Sequence, residues 1–125
     1  MNFVARLCWV SSPLYLLGGM IFGIWMSATG DHTLAPAHAH LNLIGGVLMA
    51  IFGAFYTLRP AAAASIVAKL QVALAHISVW FMFPGIIMAI SGGSDVLAKI
   101  GAVLGILTII LFAFIAFRAT GPESA

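Results

Sequence analysis

The chain has 125 residues, 63% of them apolar and only 6% charged, with a formal net charge of +2. Soluble domains average about 45–50% apolar and about 25% charged, and a mean hydropathy of +1.18 excludes a water-soluble globule, because so few charges cannot cover its surface. Disordered, collagen-like, nucleic-acid-binding and disulfide-stapled classes fall as well: five basic and three acidic groups make no patch, and Cys8 is the only cysteine.

A membrane-crossing helix needs about 20 mostly apolar residues. The sequence predicts four, over roughly residues 3–27, 35–58, 61–90 and 96–117. The expected fold is an all-α integral membrane four-helix bundle, one domain over residues 1–125. The first span carries Pro13 and the GxxxG pair Gly19–Gly23. A signal peptide is its competing reading, but the apolar run exceeds the usual ~7–15 residues. The loop TGDHTLAP holds His32. The second span opens with His38 and His40 and is thinned by Gly45, Gly46 and Gly53. Pro60 is expected to open the third span, where a missing N–H costs nothing, and Pro84 to kink it. After SGGSD the fourth span carries a second GxxxG pair, Gly101–Gly105, and the tail reads RATGPESA. Small residues let helices approach closely in lipid, so the two GxxxG faces serve either packing within one chain or self-association. The methionines, Tyr15, Trp25, Tyr56 and Trp80 read as core or interfacial belts.

Arg6, Arg59, Lys69 and Arg118 fall at one end of the up-down-up-down arrangement. The other end has Lys99 with Asp31 and Asp95. The positive-inside rule then places both termini in the cytoplasm, as expected for a multi-pass protein of a bacterial-type inner membrane.

Histidines within spans mark functional sites by default, since a polar ring is costly in hydrocarbon. His38, His40 and His76 are the candidates; His32 lies in the outward loop. Counting from the turn at Leu58–Pro60 puts His40 about 27 Å and His76 about 24 Å along their helices, at matched depth. Positions i and i+2 are about 200° apart on a helix, so His38 and His40 point to opposite faces. They suit two sites, or one ligand shared between chains, rather than a single small ion. Haem accepts imidazole axially, and a glycine- and aromatic-rich bundle admits a flat macrocycle.

The stretch AHAHLNLIGGVLMAIFGAFYTLRP (residues 37–60) resembles the tenth transmembrane helix of subunit I of the haem-copper oxidases. There an HxH pair precedes a glycine-containing apolar helix ending in an aromatic and a proline. KLQVALAHISVWFMFPGIIMAISGG (residues 69–93) resembles the next helix of that family, with its His-aromatic run and mid-helix Phe-Pro. The resemblance implies that His38 and His40 ligate haem irons, and leaves His76 as a further candidate. It does not imply oxygen reduction. The His-Pro-Glu-x-x-Tyr pattern of the copper-bearing helix and the second metal-ligating His-His pair are missing, and no tyrosine stands beside a histidine along the chain. The family's twelve helices form three four-helix arcs, so four spans imply one arc and a homotrimer rebuilds the layout, with haem b between His38 of one chain and His40 of the next.

The leading expectation is therefore a b-type haem protein that transfers electrons or senses a redox state or gas, with a quinol or respiratory-chain partner. Haem propionates would meet only His32, Lys99 and backbone groups at the outer rim. The alternatives are a copper- or zinc-binding membrane protein, and a structural or assembly subunit of a respiratory complex.

Overall fold

Hydrocarbon offers no hydrogen bonds, so a spanning segment must satisfy its own backbone, and a helix does so within itself. The computed structural model describes residues 1–122, and the described residues contain no strand. The last three residues of the tail lie outside the description. Five helices follow one another: α1 (Phe3–Thr29), α2 (Ala35–Leu58), the single turn α3 (Pro60–Ala63), α4 (Ile66–Ile90) and α5 (Val96–Ala119). Four of them are long and apolar enough to cross a membrane, making this a multi-pass membrane protein.

Each helix end has a local cause. The Asn2 side chain caps α1 by accepting from the Ala5 N–H at 2.8 Å, and its amide also donates to the Tyr56 carbonyl at 3.0 Å. One residue thus caps α1 and ties it to the end of α2. Gly30, at φ +70°, ends α1 in the left-handed conformation that costs glycine nothing. Pro36 lies in the first turn of α2, where proline fits. Pro60 opens α3 rather than the third span. That span begins only at Ile66, where the Ser65 hydroxyl caps it by accepting from the Ala68 N–H at 3.1 Å. α1 and α4 stay helical through Pro13 and Pro84.

The helices pair through small residues. A Cβ on Gly85 would lie 2.5 Å from the Ala98 backbone nitrogen, and one on Gly101 2.8 Å from that of Met82. The Ser78 hydroxyl adds a 2.9 Å hydrogen bond to the Gly101 carbonyl, locking α4 to α5. α1 meets α2 in the same way: Gly45 faces the Tyr15 ring, Gly46 faces Leu16, and Ser12 donates to the Gly46 carbonyl at 2.7 Å. Both GxxxG faces are therefore used inside the chain. Gly19 and Gly23 receive Asn42 and His38 of α2, while Gly101 and Gly105 receive α4.

The densest core sits at the end that carries both termini. Val4, Cys8, Met49, Phe52, Tyr56 and Val72 are buried there, with the Phe112 ring 4.8 Å from that of Phe52. Tyr56, fully buried, donates to Gln71 Oε1 at 2.9 Å, so the phenol is satisfied within the core. Between α2, α4 and α5 a groove runs from Phe52 in this core toward His40.

Gly85→Ala forces its methyl into the backbone of α5 and should cost about 1–3 kcal/mol. Gly18, within α1, has no atom within 4 Å of such a methyl. Gly18→Ala should leave stability unchanged or slightly raised, and denaturation of the two variants in mixed micelles checks the contrast.

Candidate functional site

The second span is not a uniform α-helix. Ala35–His40 is α-helical, Leu41–Val47 is π-helical, and Leu48–Leu58 returns to α. Wider i→i+5 turns of this kind recur at functional sites. Here the widened stretch follows directly on His40 and brings Asn42, Gly45 and Gly46 against α1.

His38 turns toward α1. A Cβ on Gly23 would lie 2.8 Å from its Cε1, and the Phe22 ring lies 6.3 Å from the imidazole. The Asn42 amide, one turn on, is 3.2 Å from both ring nitrogens and holds the ring from the side of α2.

His40 turns the other way. Its Nδ1 lies 2.7 Å from the Pro36 carbonyl. A carbonyl only accepts, so Nδ1 donates this bond, and in the neutral imidazole Nε2 keeps its lone pair. This is the tautomer in which backbone bonding prepares a histidine to ligate metal. Nε2 has no partner among the described residues. The ring is exposed and borders a groove of about 450 Å³ between α2, α4 and α5. Ile44, Leu48 and Phe52 of α2, Met82 of α4, and Gly105 and Ile106 of α5 line it. The hydroxyls that reach this groove are engaged: Ser78 bonds the Gly101 carbonyl and Thr108 the Leu104 carbonyl.

His76 occupies a third environment. It is 7% exposed, and its Nδ1 lies 2.7 Å from the Tyr15 hydroxyl of α1. The Trp80 ring, one turn on, is 5.8 Å away. His76 Nε2 is buried without a partner among the described residues. A tyrosine does stand beside a histidine, but 61 positions away in the chain.

The structure does not bring His38, His40 and His76 together. The matched depth expected for His40 and His76 also fails. His40 shares a crevice with Val79, Met82 and Phe83, farther along α4 than His76. The cause is the break before Ser65: α4 starts at Ile66, so His76 lies 10 residues (76 − 66) into it, about 15 Å. His32 is exposed in the loop, and no group of three or more histidine, cysteine or acidic side chains converges on a metal-sized point among the described residues.

Two residues of the site differ from the sequence reading: Tyr15, read there as core or interfacial belt, bonds His76, and Asn42 is not singled out at all. Each is a polar side chain inside an apolar span and needs a buried partner. That need is their signal in the sequence; the partner's identity is not.

Asp31 Oδ1 accepts from both the hydroxyl and the backbone N–H of Thr33, and these bonds hold its carboxyl below the usual range. Compared with protein families, curated proteins and solved structures, the chain matches none.

Tyr15→Phe should cost about 1–3 kcal/mol, because it leaves His76 buried with no hydrogen bond at all. Adding His76→Leu should recover part of that loss, and a double-mutant cycle of unfolding in micelles measures it. Thr33→Val should raise the Asp31 pKa toward its ordinary value, read by carbon NMR of the carboxyl.

Proposed function

We infer that this chain is a b-type haem protein of the membrane, with His40 as an axial ligand. One observation carries the reading. His40 alone among the four histidines combines an exposed ring on a sizeable apolar groove with a backbone bond that leaves Nε2 free. An apolar cleft with one available imidazole nitrogen suits the lining and donor that a haem requires.

The second ligand comes from another copy. His38 faces α1 and His40 faces the α4–α5 side, so one chain cannot turn both rings to one iron. We assign His38 of one copy and His40 of the next to each haem, in the homotrimer that the resemblance to haem-copper oxidase subunit I implies. The argument for the trimer rests on the histidines and that resemblance, since both GxxxG faces are used within the chain. His76, held by Tyr15, serves packing in this reading rather than ligation.

When bound, such a haem supplies one-electron transfer, and two imidazoles leave no open iron position for oxygen. The chain's own contribution is orientation and exclusion of water. The Pro36 carbonyl fixes the His40 tautomer, the Asn42 amide, which must give up one His38 nitrogen for that ring to ligate, steadies it through the other, and the isoleucine and phenylalanine side chains keep the groove dry. Lys99, paired only with Asp95 at 3.1 Å on the exposed rim, is weakly held and suits a propionate. Placing the arginine-rich end in the cytoplasm of a bacterial-type inner membrane turns the histidine end outward. There a quinol or another respiratory carrier is the partner class.

The reading as a structural or assembly subunit draws on a different observation: His38 and His76 each already have a protein partner. Divalent copper or zinc binding has no comparable support, because no three ligands converge among the described residues.

Haem content of the purified full chain tests ligation. His40→Ala should lose the haem absorbance while His32→Ala keeps it; full occupancy in His40→Ala removes the assignment. Mixing His38→Ala with His40→Ala chains should restore part of the absorbance if ligands are shared between copies. Full haem binding by a monomer would exclude sharing.

A further inference from the structure

At the end of the bundle that carries both termini lies a second cleft, of about 560 Å³, between the α2–α4 turn and the last turns of α5. Arg59 and Arg118 stand on its two sides, and Leu58, Val67, Phe114 and Ile115 line it with apolar surface. The Arg118 guanidinium lies 5.6 Å over the Phe114 ring, which steadies it at the mouth. Neither guanidinium has a hydrogen bond or ion pair to a described residue, and the one ion pair among those residues, Lys99–Asp95, is at the opposite end.

Independently of the haem reading, we propose that this cleft binds an anionic phospholipid, its phosphate between Arg59 and Arg118 and its glycerol and upper acyl carbons on the apolar lining. Three features point to this ligand class. First, Arg59 from the turn after α2 and Arg118 from the last turn of α5 line one volume, and guanidiniums are the donors that best match phosphate oxygens. Second, Val67 lies in the first turn of α4, where N–H groups have no acceptor within the helix. Third, the lining joins the lipid-facing surface, where Leu58 and Phe114 are exposed, so an amphiphile matches the cleft better than a free anion. Both arginines also lie at helix C-termini, whose partial negative charge they offset. That role needs no cleft between them, and the experiment separates the two.

The test titrates the full chain in non-ionic detergent with phosphatidylglycerol and with phosphatidylcholine of the same acyl chains, reading bound lipid by native mass spectrometry. Phosphatidylglycerol should bind about tenfold or more tightly than phosphatidylcholine, and Arg59→Gln with Arg118→Gln should weaken it roughly 30-fold, from a per-arginine contribution near the surface. Arg59→Lys with Arg118→Lys should keep most of the preference, and Lys99→Gln at the far rim should keep all of it. Equal binding of the two lipids by the wild-type chain would overturn the proposal whether or not any variant folds. So would unchanged phosphatidylglycerol binding in a folded glutamine variant. Displacement of the lipid by inorganic phosphate alone would show a free-anion site and overturn the lipid assignment.

Discussion

Helices in lipid gain nothing by hiding apolar surface from one another, since the acyl chains are as apolar as leucine. What holds this bundle is close backbone approach at glycines, together with hydrogen bonds made by buried side chains such as Ser12, Ser78, Tyr15 and Tyr56. The α4–α5 pair depends on Gly85 and Gly101, where even a methyl would enter the facing backbone. The α1–α2 pair depends on Gly19, Gly23, Gly45 and Gly46, and on the Ser12–Gly46 bond. The bundle is thus two tight hairpins, joined most densely around Tyr56, Phe52 and Phe112.

The same constraint sorts the histidines. In hydrocarbon an imidazole must be bonded or must face a ligand. His76 is bonded to Tyr15, and His38 is held by Asn42 against Gly23. His40 bonds its own helix through one nitrogen and offers the other. The glycines that draw α1 onto α2 also seat His38, so packing of the first hairpin and placement of that ring are one feature. Where the hairpins diverge, the groove beside His40 remains. Apolar clefts thus lie toward both ends, this one beside His40 and the other between the α2–α4 turn and the last turns of α5.

Much of this was legible in the sequence, for physical reasons. Runs of apolar residues long enough to cross a bilayer have few other uses, so the four spans and their turns could be read directly. The helical period alone turned His38 and His40 to different faces. What could not be read depends on tertiary detail. Pro60 is a sound helix opener, but α3 lasts one turn because Ser65 caps a new helix. That shift moved His76 away from the depth of His40. The Tyr15–His76 bond joins residues 61 positions apart in the chain, and the π-helical stretch at Leu41–Val47 has no motif that marks it. GxxxG spacing could not distinguish a partner helix in the same chain from one in another; the contacts of Gly19, Gly23, Gly101 and Gly105 do.

A groove with one free imidazole nitrogen and a second histidine turned to the opposite side underlie the central proposal: an iron held by two imidazoles from two copies. The most direct measurement is the optical and electron paramagnetic resonance spectrum of the full chain purified with haem supplied. A Soret band with the low-spin signal of bis-imidazole iron is the predicted result. A colourless protein, or one whose bound haem is high-spin and five-coordinate, would contradict it.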